Sequence, residues 1–135
     1  MKKFEFLEHT ADIKFRAFGK NMEEVFENSA LAISKIISRG QKIKSEKKKQ
    51  IEVEGHDKES LLYNFIEELL YLTEAESFLV SKANITVSGN KLKAKLSGDS
   101  TLNYSNFDHI KSPTYHEMYF KETGSGWEAQ VVVDV

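Results

Sequence analysis

Three acidic groups near the two ends of the chain have the types and spacing that a metal site requires. Asp134 and the terminal carboxylate of Val135 follow the apolar run Val131-Val132-Val133, a pattern that indicates a strand. Neighbouring carboxylates repel each other unless a cation or a basic group lies between them. Asp12 lies near the other end of the chain, and the termini of single domains are often close in space. If the fold brings the termini together, these three groups form an all-oxygen ligand set, which suits a hard divalent cation.

Other roles compete for the same residues. Asp12 can instead cap a turn, because aspartate side chains accept hydrogen bonds from nearby backbone N–H groups, and Asp134 can simply end a strand at the solvent. His9 precedes Asp12 by three residues, and His116 follows an irregular segment that contains Lys111. A zinc-like cluster of His9, Asp12 and His116 is therefore conceivable. The spacing favours hydrogen-bonded structural roles for the histidines instead.

Several common enzyme signatures do not occur in the sequence. It has no phosphate-binding Gly-x-x-x-x-Gly-Lys-Ser/Thr loop, no Gly-x-Gly-x-x-Gly fingerprint, no Gly-x-Ser-x-Gly elbow and no His-Glu-x-x-His helix. Gly124-Ser125-Gly126 is a turn between two strands, so it lacks the helix N-terminus that a phosphate site uses.

Composition indicates one globular domain over residues 1–135. The mass is 15.5 kDa, 40% of the residues are hydrophobic and 30% are charged. Cysteine is absent, which excludes disulfides and thiolate metal sites and agrees with a reducing compartment. The N-terminus lacks the long apolar stretch of a signal peptide or a membrane span. We therefore expect a cytoplasmic protein with no membrane contact.

The charge distribution has one local exception. The formal net charge of −2 excludes electrostatic binding of nucleic acid by the molecule as a whole. Residues 42–49 nevertheless hold five lysines: Lys42, Lys44, Lys47, Lys48 and Lys49. A solvated loop or sheet edge explains this run, because lysines discourage edge-to-edge pairing. The alternative is a basic surface that contacts tRNA or another RNA, or an RNA-bound protein.

Hydrophobic periodicity predicts an α+β fold. Asn21 begins an amphipathic helix over residues 21–39, and Asp57 is the N-cap of a second helix whose apolar face runs from Leu61 to Thr73. Alternating patterns predict strands around residues 4–6, 13–17, 51–53, 78–88, 92–96, 115–120 and 127–134, with irregular chain over residues 99–112. We expect two helices packed on one antiparallel sheet or on a split pair of sheets.

Five segments taken together match one known family. They are Glu8-His9-Thr10-Ala11-Asp12, Gly19 with Glu23-Glu24-Val25-Phe26, Leu61-Leu62 with Glu68-Leu69-Leu70, Ile110-Lys111-Ser112-Pro113-Thr114-Tyr115-His116, and Val133-Asp134-Val135. In this order, and over the whole chain, they resemble the archease family. Ser112 stands where alanine is usual in that family, and Phe65-Ile66 where a pair containing tryptophan is common. The lysine run is not a family motif.

The resemblance implies a function and a ligand set. Archeases assist the RtcB-type RNA ligase, which joins 2′,3′-cyclic-phosphate or 3′-phosphate ends to 5′-hydroxyl ends in tRNA splicing and RNA repair. They promote guanylylation of the ligase and multiple turnover, without chemistry of their own. By motif match, Asp12, Asp134 and Val135 would bind a divalent metal, with calcium preferred over magnesium or manganese. His9, Lys111 and His116 would lie on the functional surface.

Two other functions stay open at this point. One is a general chaperone or modulator of RNA-modifying enzymes. The other is a stand-alone metal-dependent hydrolase that uses Asp12 and His116.

Overall fold

The computed structural model describes residues 2–7 and 12–135. Within those residues it contains two α-helices, seven strands and one short 3-10 helix. Their bounds are β1 Phe4–Leu7, β2 Ile13–Gly19, α1 Met22–Ser38, β3 Lys47–Glu54, α2 Lys58–Glu76, β4 Phe78–Ser88, β5 Lys91–Ser100, the 3-10 helix Thr101–Asn103, β6 Ser112–Thr123 and β7 Gly126–Asp134. In the described part of the chain, no helix has the length and apolar character needed to cross a lipid bilayer.

The strands form two separate antiparallel sheets. The first has the order β1-β2-β7-β6, which brings strands from the two ends of the sequence together. The second has the order β3-β5-β4. The predicted α+β fold is therefore confirmed, and of the two sheet arrangements left open by the sequence, the split pair is the correct one.

Helix α1 joins the two sheets. The Asn21 side chain accepts a hydrogen bond from the Glu24 N–H at 2.9 Å, as predicted for the N-cap, and the helix ends where Arg39 adopts a left-handed conformation with φ of 56°. One side of α1 packs on β2, and the other covers the free edge of β4. At that edge the Ile85 N–H donates to the Glu27 carboxylate at 3.0 Å. That N–H is therefore not available for pairing with another strand.

Helix α2 begins at the predicted cap. Asp57 accepts a hydrogen bond from the Ser60 N–H at 2.7 Å, and the Ser60 hydroxyl accepts one from the Asp57 N–H at 3.2 Å. The two bonds form a capping box, which satisfies backbone donors at the first turn of the helix. The buried face of α2 packs on β6 and holds Phe65 against Phe26 of α1, with ring centroids 6.1 Å apart. This contact links the two helices within the core.

The structure differs from the sequence prediction at both ends of the segment 99–112. Strand β5 continues to Ser100 because β4 pairs with it as far as that residue, and the carboxylate of Asp99, a residue only 2% exposed, is satisfied locally. It accepts hydrogen bonds from the Tyr104 hydroxyl at 2.8 Å, the Asn103 amide at 3.0 Å and the Ser100 N–H at 2.8 Å. Strand β6 begins at Ser112, before Pro113, because it is an edge strand on which the missing proline N–H breaks no ladder bond.

Asp99 gives the fold an expected response to acid. Its hydrogen bond from Tyr104, supported by those from Ser100 and Asn103, holds the pKa of its carboxyl below the usual 3.8. A group whose pKa is lowered by folding stabilises the folded state in its ionised form, and that contribution disappears as the pH falls through the folded pKa. Urea unfolding of wild type and of Asp99→Asn measures this contribution as the difference between their free energies of unfolding. We expect that difference to be largest above about pH 4 and to shrink at lower pH. A difference that is constant from neutral pH into this acidic range would contradict the expectation.

Candidate functional site

Strands β2 and β7 bring the two predicted aspartates to the same end of the four-stranded sheet. Ile13 pairs with Val133 in the antiparallel ladder. Extending that register by one residue places Asp12, in the bend before β2, opposite Asp134, the last residue of β7. The fold therefore places these two acids at the same end of one sheet, although they come from opposite ends of the sequence.

Strand β6 adds the other side of this sheet end. Ser112 pairs with Asp134, and the Lys111 N–H donates a hydrogen bond to the Asp134 carbonyl oxygen at 2.8 Å. Lys111 thus lies beside Val135, which is 42% exposed. Asp12 and Asp134 are partly buried, whereas the Lys111 side chain is exposed. Four of the residues predicted for the site and its surface, Asp12, Asp134, Val135 and Lys111, occupy one end of one sheet.

His116 lies in an irregular segment of β6. The pairing of β6 with β7 shifts between Thr114 and Tyr119, and within that interval Glu117 adopts a positive φ of 59°. The His116 N–H donates to the Thr114 hydroxyl oxygen at 3.0 Å, and its imidazole Nε2 is 3.5 Å from the Glu117 carboxylate. The imidazole is 71% exposed. His116 is therefore on the surface, in the part of β6 that departs from regular pairing.

A polar network fixes this bulge, residues 115–118, to the solvent-facing side of the sheet. The Gln130 amide donates to the Glu117 carbonyl oxygen at 2.8 Å, and the Arg16 Nε donates to the Gln130 amide oxygen at 2.9 Å. Lys14 also forms an ion pair with the Glu117 carboxylate at 3.5 Å. Val132 lies between Gln130 and Asp134 on the same face of β7 and is fully buried. Lys14, which pairs with Val132, is therefore the member of the network that lies nearest to the two aspartates along the sheet.

Sequence reasoning missed Gln130, Glu117 and Lys14 as supports of the site. Alternation along β7 correctly placed Gln130, Val132 and Asp134 on one face, but it gave no sign that this face is covered. Gln130 is only 6% exposed, and burial of an amide requires hydrogen-bond partners. The one signal in the sequence was Val132, which lies between Gln130 and Asp134 on this face. An apolar residue among polar ones indicates that other side chains cover the face.

Tyr119 and Glu128 extend the same face away from the aspartates. The Tyr119 hydroxyl donates a hydrogen bond to the Glu128 carboxylate. Burial of the ring, reinforced by this bond and by the charge of Glu128, raises the pKa of Tyr119 to about 12. Tyr119 therefore stays protonated at neutral pH, and its role here is to donate a hydrogen bond.

The donor set fits a hard cation better than zinc. Among residues 2–7 and 12–135, no three His, Asp or Glu side chains are grouped so that they could hold a metal ion. A zinc-like cluster would need His9, which lies outside the described residues, as does the rest of residues 8–11. The two aspartates supply carboxylate oxygens, and the terminal carboxylate predicted for Val135 would supply more at the same sheet end. Oxygen-only ligands are what calcium, magnesium and manganese prefer. The ligand set is therefore chemically suited to such a cation, and binding of the cation stays a prediction.

The lysine run does not form one surface. Lys42 and Lys44 lie in the connection before β3, and Lys47, Lys48 and Lys49 lie within β3, which is an edge strand. The side chain of Lys49 turns toward α2, where it forms an ion pair with Glu76 and lies 5.9 Å from the Phe78 ring centroid. Alternation along β3 then directs Lys48 to the opposite face of the sheet.

Comparison with known proteins identifies the family. The model described as the Archease protein family (MTH1598/TM1083) matches residues 4–135. The chain is 41% identical to protein archease of Methanosarcina mazei, over 99% of this chain and 97% of that protein. It is 39% identical to protein archease of Pyrococcus abyssi, over the full length of both.

Solved structures agree with this assignment. The solution structure of protein 1598 of Methanobacterium thermoautotrophicum covers all of both chains, with a TM-score of 0.80 and 28% identity. The crystal structure of an archease from Thermotoga maritima, described as a possible chaperone, has a TM-score of 0.62 at 22% identity, over 96% of this chain and 94% of that one, and so supports the fold alone. By sequence over its full length and by fold, the chain belongs to the archease family.

Proposed function

We propose that this protein is an accessory factor of an RtcB-type RNA ligase, acting in the cytoplasm in tRNA splicing and RNA repair. It promotes guanylylation of the ligase and multiple turnover, and it performs no chemistry of its own. The observation that carries the proposal is the register of β2 against β7, because the two family-motif aspartates adjoin the same end of this strand pair. Membership of the archease family over residues 4–135 supports the proposal, and the ligase reaction is what the resemblance to that family implies.

Asp12, Asp134 and the carboxylate of Val135 would hold a divalent cation, with calcium as the first choice. Bound there, the cation would bring positive charge to the ligase active site, where developing negative charge on phosphate oxygens needs stabilising. The chain's own part is to present these carboxylates rigidly. Asp134 is the last residue of β7, and Asp12 and Val135 directly adjoin β2 and β7, so the paired strands limit the movement of all three residues.

The surroundings of the aspartates support docking on another protein. Lys111 and His116 are both exposed. The backbone of Lys111 is bonded to Asp134, and His116 belongs to the bulge that the polar network holds. Exposed charged groups steer a partner and fix its orientation without adding much affinity each. His116 and Lys111 are therefore assigned to contact the ligase or its nucleotide.

A ligase assay tests the proposal. The purified protein is added to an RtcB-type ligase with GTP, manganese and RNA that carries 3′-phosphate and 5′-hydroxyl ends. Faster guanylylation of the ligase, and product beyond one turnover, are expected. An unchanged ligase, together with suppressed aggregation of unrelated enzymes, would favour a general chaperone, the role suggested by the description of the Thermotoga maritima relative. RNA cleavage or joining without ligase would instead favour a metal-dependent enzyme.

Extending the chain beyond Val135 tests the metal site separately. Added residues convert the terminal carboxylate to an amide, which removes one negative charge from the ligand set. We expect weaker calcium binding by calorimetry, with an unchanged thermal midpoint, because the pairing of β7 with β2 and β6 is retained. A tag of the same sequence fused before Met1 is the control. Equal calcium affinity in the two tagged proteins would show that Val135 is not a ligand through its terminus.

A further inference from the structure

The solvent face of the three-stranded sheet carries an uneven distribution of charge. At one end of this face, two rows of side chains cross the three strands in register. The first row is Lys48, Ser97 and Lys82, and the second is Gln50, Lys95 and Asn84. Lys48, Lys82 and Lys95 are exposed, and together these six residues form what we call the lysine face. Two of its three lysines lie outside the lysine run of the sequence.

The lysines of the lysine face have no acidic partner within the described residues. The polar contact of Lys48 is with the Ser97 hydroxyl at 3.5 Å, and neither Lys82 nor Lys95 forms an ion pair in that part of the chain. Asp99 follows on β5, but its carboxylate is buried and bonded to Tyr104 and Asn103. Three positive charges are therefore gathered on one side of a protein whose net charge is −2.

The other end of the same face provides a contrast. Lys93 forms an ion pair with Glu52 at 3.6 Å, and Lys91 forms one with Glu54, also at 3.6 Å. These lysines lie on the same strand as Lys95 and point to the same side. Their charges are balanced by cross-strand acids, so the field of the sheet is concentrated at the lysine face.

The chemistry of the lysine face matches a polyanion. Its outward side chains are lysines, amides and a hydroxyl. Together with Lys49 and Leu96, its residues line a shallow concavity of about 500 Å³. No apolar anchor points outward there, whereas protein interfaces are depleted in lysine and centred on aromatic or aliphatic side chains. Nucleic-acid interfaces, by contrast, are polar and positive, and most of their hydrogen bonds go to phosphate and sugar.

We propose that the lysine face binds the sugar–phosphate backbone of a single RNA strand, without preference for sequence. With neighbouring strands about 4.8 Å apart, Lys48 and Lys82 flank Lys95 across roughly 10 Å, which lets the three ammonium groups contact successive phosphates. Gln50, Asn84 and Ser97 would bond to phosphate or 2′-hydroxyl oxygens. The choice of RNA rests on the proposed function, since an accessory factor of an RNA ligase works where broken RNA ends are held.

Salt dependence tests the contact directly. The probe is a fluorescent single-stranded RNA of mixed sequence, titrated with the protein alone. Three phosphate contacts predict a slope of about −2 in a plot of log K against log salt concentration, or about 20-fold weaker binding at 200 mM than at 50 mM salt. The variant with Lys82→Gln and Lys95→Gln should bind several-fold more weakly at low salt, with the slope reduced by about 1.4.

The sheet offers a control with the same change of charge. Lys91→Gln with Lys93→Gln also removes two positive charges from this face, but from lysines that already have acidic partners, so RNA binding should stay near the wild-type level. Lys82→Arg with Lys95→Arg should retain binding. Equal weakening by both Gln pairs would overturn the proposal, as would no binding by the wild type at low salt. Binding of polyglutamate in place of RNA, with the same lysine dependence, would assign the face to an acidic protein instead.

A second readout separates this inference from the proposed function. In a guanylylation assay without RNA, the variant with Lys82→Gln and Lys95→Gln should stimulate the ligase as the wild type does, because the lysine face and the acidic site lie on different sheets. If the wild type gives no stimulation, the proposed function fails, whatever the RNA titration shows. If the wild type stimulates the ligase but does not bind RNA, only the proposal that the lysine face binds RNA is wrong.

Discussion

Asp12→Asn is expected to remove most of the stimulation of ligase guanylylation while leaving the protein folded. The substitution keeps the size of the side chain and its capacity for hydrogen bonds but removes the charge that a cation requires. Asp12 lies in the bend before β2 rather than within the ladder, so strand pairing is retained. The measurement is the initial rate of guanylylation against protein concentration, alongside circular dichroism and a thermal midpoint. Transition-state charge stabilisation of this kind is typically worth about 10²–10³ in rate.

Comparison variants make this expectation specific to the site. Asp134→Asn should resemble Asp12→Asn, and the double variant should be little worse than either single one, because residues that act as one unit are not additive. Asp108→Asn is the matched control, since it neutralises an exposed aspartate in the connection before β6. A folded Asp12→Asn protein that stimulates the ligase fully would refute the acidic-site mechanism and leave docking alone as the explanation.

The helices were predictable from the sequence because local chemistry fixes their ends. Asn21 and Asp57 each accept a hydrogen bond from a backbone N–H of the first turn, and Gly40 follows the last turn of α1. Apolar spacing identified the buried faces. These signals act over a few residues, so no knowledge of the tertiary fold was needed.

The extent of the strands was less predictable where tertiary contacts decide it. Strand β3 begins at Lys47, well before the alternating pair Ile51 and Val53, because β5 offers a partner along its whole length. The lysines there fit an edge strand, as one of the two sequence interpretations held. The bulge at residues 115–118 gave no local signal, since it depends on Gln130 and Lys14 from distant strands.

The candidate site was predictable in part. The likeness to archeases and the chemistry of adjacent carboxylates singled out Asp12 and Asp134, and the β2–β7 register accounts for their position at the same sheet end. The exposure of His116 depends on the bulge, so alternation along β6 did not reveal it. His9 lies outside the described residues, and its role stays a prediction.

Phe65→Ala is expected to cause the largest loss of stability, about 3–5 kcal/mol in the free energy of unfolding. The Phe65 ring is fully buried and meets Phe26 edge to face, with an interplanar angle of 78°. Phe26 in turn contacts Phe120 of β6, with ring centroids 5.2 Å apart. Truncation therefore leaves a cavity where α1, α2 and the four-stranded sheet meet. Domains of this size are stable by about 5–15 kcal/mol, so a large share of the total would be lost.

Urea unfolding followed by tryptophan fluorescence measures this loss, because Trp127 lies in the same aromatic group, 6.0 Å from the Phe120 ring. Phe107→Ala is the matched control, since its ring is 37% exposed and its removal should change stability by less than about 1 kcal/mol. A loss of less than about 1 kcal/mol in Phe65→Ala would contradict the expectation and would mean that the helices move together to fill the cavity. The acidic site adjoins the paired ends of β2 and β7, and α2 contributes none of its residues. The folded fraction of Phe65→Ala should therefore still stimulate the ligase, which separates a stability defect from a functional one.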